Sequence, residues 1–301
     1  VSKNRSARIR ESTGDRIYLF FVYTVLAVIL FVVLYPLIYV VSASFSSPNA
    51  VAGGQVWLWP VNPGTIGYRL VFENDQIVTG FLNSLFYTFA GGIFSTVLTV
   101  MMAYPISRKY FIGRGVLIWL LLFAFVFNGG LIPFYLVVKD LGLLDTSWAL
   151  ILPSALGIFQ VFLAKTFFQT SVSSELYDSA RIDGCSELQF LLRIVLPTST
   201  AILAVLFLLY AVGQWNSYFN ALIFLTDQNL YPLQLVLRNF LIVGQMMTAT
   251  SASLAQYQRV LAEETLLRYS VIVVATVPML ILYPFAQRYF TKGVMLGSLK
   301  E

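Results

Sequence analysis

Residues 17–41 read IYLFFVYTVLAVILFVVLYPLIYVV, 25 positions without one charged side chain. About 20 apolar residues in a helix span the hydrocarbon core of a bilayer. This run is therefore expected to cross a membrane. Five further stretches have the necessary length and apolarity: 81–106, 116–138, 148–168, 196–225 and 269–290. The composition agrees. Hydrophobic residues make up 58% of the 301 positions, charged ones only 11%, and mean hydropathy is +0.78. A soluble domain carries about a quarter charged residues, so the solvent for most of this chain is lipid. The expected fold class is an all-α integral membrane protein with six transmembrane helices.

The first run is too long and begins too late for a secretory signal. It lacks a small-residue cleavage pattern, and Lys3, Arg5, Arg8, Arg10 and Arg16 precede it, so it reads as a retained helix. Six spans place both ends on one side. That side collects the N-terminal cluster, then Arg108, Lys109 and Arg114, then Lys165, Arg181 and Arg193, then Arg288, Lys292 and Lys300. The opposite side holds only Arg69, Lys139, Arg238, Arg259 and Arg268. Basic residues accumulate in cytoplasmic loops, so both termini are expected in the cytoplasm. Topology thus accounts for the net charge of +5, and no nucleic-acid partner is implied. The outer loop 43–80 contains Gly53, Gly54, Pro60, Pro63 and Gly64 and reads as irregular. The outer connection 227–268 is polar over 245–258 and reads as partly helical. Both are long enough to meet a partner outside the membrane.

The cytoplasmic connection 173–197, SSELYDSARIDGCSELQFLLRIVLP, departs from its surroundings. Glu175, Asp178, Arg181, Asp183, Glu187 and Arg193 make it far more charged. Ser174 and Glu175 suit a helix start, because a hydroxyl and an acid complement free backbone N–H groups. Gly184 suits a helix stop. Between them fits a short amphipathic peg, with Leu176 and Ala180 on one face and Tyr177 and Arg181 on the next. An interfacial helix on lipid headgroups carries more Lys and Arg than this one, which has three acids against a single Arg up to Asp183. A protein partner fits it better.

This segment resembles the EAA loop of ABC-importer permeases: E-A-A, three residues, G, nine residues, I-x-L-P. Asp178-Ser179-Ala180 stand for E-A-A, with Asp and Ser replacing the first two letters. Gly184 and Ile194-Val195-Leu196-Pro197 fall at the expected spacing. Asn128-Gly129-Gly130-Leu131-Ile132-Pro133 with Leu141-Gly142-Leu143 resembles the carbohydrate branch of these permeases. So do Gln214-Trp215-Asn216, Tyr231-Pro232-Leu233-Gln234 and Lys292-Gly293-Val294-Met295-Leu296-Gly297. Within that branch the chain is similar to the smaller permease of maltose-type importers. It is most similar to the group importing polysaccharide fragments, including uronate types such as alginate.

The resemblance implies a single MetI-like permease domain over 1–301, a cytoplasmic coupling helix at 173–184 and a cytoplasmic tail at 292–301. It implies a second, different permease subunit, two ATP-binding subunits, an extracytoplasmic solute-binding protein, an oligosaccharide substrate and a place in the bacterial cytoplasmic membrane. ATP and magnesium are expected on the partner subunits, with no cofactor in this chain. Glu175, Leu176, Tyr177, Asp178, Ala180, Arg181, Asp183 and Gly184 become the coupling residues. Of these, Asp178 and Arg181 are expected to dock through polar contacts, and Leu176, Tyr177 and Ala180 through packing. The tail is either a further ATPase contact or a solvated end.

Polar residues within spans normally face a cavity or another helix. Gln214, Trp215, Asn216, Tyr218 and Asn220 combine amides with rings, a mixture suited to a sugar's hydroxyls and C–H faces. Asn216 and Asn220 lie four apart, as do Trp215 and Phe219. Asn83 and Asn128 are further candidates for the substrate pathway. The same residues suit an aromatic belt with interhelical hydrogen bonds.

Other classes fit less well. No G-x-x-x-x-G-K-[ST] loop occurs, so ATP is not bound in that way. A secondary transporter usually carries an intramembrane acid or base for ion coupling, and no acid lies deep in the six stretches. The absence of histidine and of paired intramembrane acids leaves an enzyme without evident machinery, and one cysteine with no histidine makes no metal site. A structural scaffold leaves the EAA spacing unexplained. An ABC permease for another small solute remains the nearest alternative.

Overall fold

A computed structural model of the chain describes residues 12–247 and 254–297. Lys3, Arg5, Arg8 and Arg10, the stretch 248–253 of the polar outer connection, and 298–301 of the tail lie outside the described residues. Every regular element among the described residues is helical. The chain forms two compact units, 1–70 with 251–273 and 71–250 with 274–301.

The first unit begins with α1 (Thr13–Ser44). Ser12 and Asp15 cap it reciprocally, each side chain accepting from the other's backbone N–H. Most of α1 is exposed along its length, as a lipid-facing helix requires, and only its last turn is buried. There the chain turns through α2 (Pro48–Ala52) into α3 (Ile66–Glu73). Serines hold the turn. Ser42 Oγ donates to Leu58 O at 2.6 Å, Ser46 Oγ to Ser42 O at 2.7 Å, and Ser46 Oγ accepts from Val61 N at 3.0 Å. Ala43, Ala50, Val51, Val56 and Leu266 form the small core beneath.

The second unit is assembled around α4 (Asp75–Ser107). After it come α5 (Arg114–Val126), α6 (Leu131–Asp140), α7 (Trp148–Ile151) and α8 (Ile158–Ser171). The peg α9 (Ser174–Ile182) follows, then α10 (Glu187–Phe190), a π-turn over Leu191–Val195 and α11 (Leu196–Thr198). The chain continues through α12 (Thr200–Trp215), α13 (Phe219–Phe224) and α14 (Leu233–Met247) to α15 (Leu254–Gly297). Helices α8, α12 and α14 pack on α4. Close approach rests on small residues: a Cβ on Gly92 would lie 2.9 Å from the Phe207 ring, and one on Gly80 3.0 Å from Val236. The inner core of this unit includes Val100, Ala103, Ile106, Val161, Phe168 and Leu206.

Among the described residues three helices are long and apolar enough to cross a membrane: α1, α4 and 262–284 within α15. Two bent pairs, α5 with α6 at 120° and α10–α11 with α12 at 82°, raise the number to at most five. Three of the six expected spans are therefore not continuous helices. The stretch 116–138 breaks at Asn128–Gly130, where Gly130 has φ +86° and ψ 172°, backbone open only to glycine. The stretch 148–168 breaks at Leu152–Gly157, beside Pro153. The stretch 196–225 breaks after Trp215, where Asn216 Nδ2 turns back to Val212 O at 2.8 Å. The last span runs from 262, earlier than the expected 269.

Candidate functional site

The peg forms for local reasons. Ser173 caps α9, its Oγ accepting from Leu176 N at 3.3 Å, with Glu175 in the first turn and Arg181 in the last, each matching the helix dipole. Gly184, at φ +76°, ends it in the left-handed conformation. Gly184 N then donates to Arg181 O at 3.0 Å and Cys185 N to Ala180 O at 2.9 Å, closing the free carbonyls.

The peg has two sides. Glu175, Asp178, Arg181 and Asp183 are exposed, as are Leu176 at 42% and Ile182 at 87%. Tyr177 and Ala180 are buried inside this chain. Both were expected to pack on a partner; here little of their surface is open, and the Phe190 ring meets that of Tyr177 edge-on at 5.2 Å. Ile182 joins Leu176 on the open side instead.

Beneath Tyr177 lies a cluster that the sequence reading missed. Arg108, the residue capping α4, is nine-tenths buried. Its Cζ lies 4.9 Å from the ring centre of Tyr104, 5.4 Å from Phe190 and 5.8 Å from Tyr177, a three-ring cation cage. Its Nε and Nη2 have no hydrogen-bond acceptor. Tyr110 stacks on Tyr177 at 4.8 Å. Burial pushes the Tyr110 phenol well above its ordinary range, with the Tyr177 hydroxyl and the Glu187 charge adding to the effect. Glu187 accepts from two phenols, Tyr104 Oη at 3.2 Å and Tyr177 Oη. A cavity of about 430 Å³ opens beside Arg108, Tyr110 and Glu187. In the sequence, Glu187 stood out only as one charge among six, and Arg108 only as an inside-positive residue.

The residues expected along a substrate pathway do not converge. Gln214 is buried, its Nε2 donating to Ser154 Oγ at 2.8 Å and Leu150 O at 3.4 Å. Trp215 is buried too, with Nε1 donating to Ala275 O at 3.2 Å. Asn83 Nδ2 donates to Asn229 O at 2.6 Å and Tyr231 O at 3.1 Å. These three hold helices and loops together in this arrangement. Asn216 and Asn220 share no helix face, since α12 ends at Trp215 and α13 begins at Phe219; the same break separates Trp215 from Phe219. Tyr218 is exposed and Asn220 half-buried. Asn128 accepts from Gly130 N at 2.9 Å and lines, with Gly129, Gly130, Pro133 and Phe134, a cavity of about 560 Å³. Among the described residues no cluster of acids and cysteines is arranged to hold a metal.

No protein-family model matches the chain. It is 40% identical over 286 residues to the polygalacturonan/rhamnogalacturonan transport system permease protein YtcP of Bacillus subtilis, covering 95% of this chain and 99% of that protein. Among solved structures it resembles a chain of a bacterial ABC transporter that imports the acidic polysaccharide alginate, with 32% identity, a TM-score of 0.85, and coverage of 93% and 99%. A chain of a bacterial alginate ABC transporter in complex with an alginate pentasaccharide-bound periplasmic protein shares the fold at 18% identity and a TM-score of 0.51, with coverage of 91% and 96%. The helical architecture and identity of this extent along nearly the whole chain show that it belongs to the permease subunits of ABC transporters, in the branch that imports carbohydrates.

Proposed function

We propose that this permease forms half of a membrane pathway for a uronate-bearing oligosaccharide and opens it by alternating access. It pairs with a second, different permease subunit. A solute-binding protein delivers the sugar from outside, and two ATP-binding subunits drive the cycle. The six-span arrangement is kept, with α5–α6, α7–α8 and α10–α13 as broken spans and both termini cytoplasmic. Broken helices are tolerated at membrane depth where the freed backbone meets protein or a water-filled cavity.

The observation that carries this reading is α9. At the EAA spacing it presents Asp178, Arg181 and Ile182 outward, while Tyr177 and Ala180 are buried and Tyr177 faces Arg108 at the end of α4. A short peg, charged outside and bolted down inside, suits docking on an ATPase and passing on its closure. Glu175, Leu176 and Asp183 complete the exposed face, and Gly184 lets the chain turn back. The tail from 292 is a second candidate contact. The named substrates of the relatives, a polygalacturonan/rhamnogalacturonan and the acidic polysaccharide alginate, support a uronate class. Tyr218, Asn220 and Asn128 are the pathway residues left open to meet it. Asn216 is exposed as well, with its Nδ2 held by Val212 O, whereas Gln214, Trp215 and Asn83 reach it only by exchanging partners in another state.

The test is ATP hydrolysis by the reconstituted transporter with its binding protein and a panel of neutral and uronate oligosaccharides. Wild type is expected to respond to uronates. Asp178→Ala with Arg181→Ala is expected to lose about tenfold of that stimulation, within the span of ordinary coupling energies. A double variant that couples like wild type sinks the docking assignment, and stimulation by neutral sugars alone sinks the uronate class.

A further inference from the structure

We infer that Glu187, together with Arg108, is a positioning residue that makes the coupling helix and α4 move as one body. The inference rests on α9 being the ATPase-docking helix and names the joint through which its motion reaches the membrane.

A docking helix does mechanical work only if it cannot slide on its own protein. Burial of Tyr177 and Ala180 alone leaves that freedom, because apolar packing is not directional. The cluster beneath α9 removes it. The Glu187 carboxylate is an acceptor with two oxygens, and each takes one phenol: Tyr177 from α9 and Tyr104 from α4. Hydrogen bonds to an ionised acceptor are stronger and more directional than neutral ones. One carboxylate therefore fixes two helices at once. Arg108 supplies the second constraint. Its guanidinium sits between rings from α4, α9 and α10, so displacing any one of them breaks a cation–π contact. Tyr110 closes the stack on Tyr177.

The charges also explain why these residue types are used. Arg108 and Glu187 border the same cavity without an ion pair; the acid is occupied by phenols and the cation by rings. Separation through aromatic intermediaries spreads the attraction over three elements rather than one contact. Slippage of α9 would then disturb every member of the set.

The test uses the full transporter and compares wild type, Glu187→Ala, Glu187→Gln and Tyr177→Phe. Sugar molecules moved per ATP hydrolysed are measured at equal amounts of assembled complex. In parallel, a photo-crosslinker is placed at Ile182→Cys in a Cys185→Ser background, and capture of the ATP-binding subunit is scored. Capture is expected in all four proteins. Sugar per ATP is expected to fall about tenfold in Glu187→Ala, and by less in Glu187→Gln, which keeps one oxygen acceptor. A fifth protein, the Tyr177→Phe/Glu187→Ala double variant, is expected to be no worse than Glu187→Ala, because Glu187→Ala already removes the bond that Tyr177→Phe breaks. A merely structural residue would lower the amount of complex and leave this ratio alone. Failure of capture in wild type overturns the docking reading itself. Intact capture with wild-type sugar per ATP in Glu187→Ala overturns the joint while the docking reading stands. Should Glu187→Ala fail to assemble, wild-type ratios in both Glu187→Gln and Tyr177→Phe overturn it equally.

Discussion

Asp145 is a non-glycine residue at φ +60°, in the turn between α6 and α7. Asp tolerates the left-handed region better than most residues because its short side chain bonds locally. Here the carboxylate reaches further, accepting from Asp227 N at 2.8 Å and Thr226 N at 2.9 Å, while Asp145 N donates to Phe224 O at 2.9 Å. The backbone N–H of Asp227, then that of Thr226, holds the carboxyl below its ordinary value of 3.8. The sign follows from linkage. A carboxyl depressed in the folded state contributes fully above 3.8, and its contribution is lost as pH falls through the lower folded value. Hydrogen-exchange protection at 226–227, corrected for intrinsic rate, is thus expected to stay flat from neutral pH to about 5 and to fall only below the ordinary carboxylate range. Asp145→Ala is expected to lose that protection at every pH. Protection that changes between pH 7 and 5 would mean another group controls the tie. Nothing in the sequence marked Asp145, because its partners lie more than 80 positions away.

Hydropathy located the long helices α1, α4 and 262–284 because it sums over many residues, but it could not locate the breaks in the other apolar stretches, some of which depend on single distant partners. Gly157, at the end of the break between α7 and α8, donates its N–H to Tyr210 Oη at 2.9 Å, and that hydroxyl shares a hydrogen bond with Thr99 Oγ1 at 2.6 Å. Without them, the break would leave an amide unsatisfied, at a cost of several kcal/mol in lipid. The break between α5 and α6 is different, since its cause is local. Asn128-Gly129-Gly130 was visible as a motif, yet glycine is common in membrane helices and does not by itself announce a bend. The dihedral at Gly130 makes the prediction specific. Gly130→Ala is expected to destabilise the assembled complex by about 1–3 kcal/mol, through strain with no clash. A Cβ there meets nothing within 4 Å, so space is not the limit. Thermal unfolding in detergent should show the loss at Gly130 and a much smaller one for Gly129→Ala, whose site is equally open and whose φ is not in the left-handed region. Equal effects at both positions would point to packing rather than backbone strain. The peg was the most legible element, because its cap, stop and EAA spacing all lie within 25 consecutive residues. The joint that anchors it was not, with Tyr104 standing 83 positions from Glu187.

At the scale of the molecule the question is how many times the chain crosses the bilayer, because that number decides which side α9 faces. Among the described residues apolar length alone supports three crossings, or five with the two bent pairs. The pair α7–α8 is the deciding element. Its first helix has only four residues before the break at Leu152, so length and composition do not qualify it. Charge argues that it crosses all the same. Arg108, Lys109 and Arg114 flank the turn after α4, and Lys165, Arg181 and Arg193 surround the peg, so the positive-inside rule puts both on one side. With α5–α6 as one crossing, only a further crossing by α7–α8 returns the chain to that side before α9. Single cysteines separate the two cases. The native Cys185, and Ile112→Cys in a Cys185→Ser background, are expected to react with a membrane-impermeant maleimide only after the cells are opened, whereas Leu141→Cys in the same background reacts in intact spheroplasts. Ile112 and Leu141 are exposed, so reagent access to them is not limited by the fold. Labelling of Cys185 from outside would place the peg away from the cytoplasm and remove the ATPase from its reach. Labelling of all three positions only from inside would mean that neither α5–α6 nor α7–α8 crosses, leaving the peg cytoplasmic on a chain with two fewer spans.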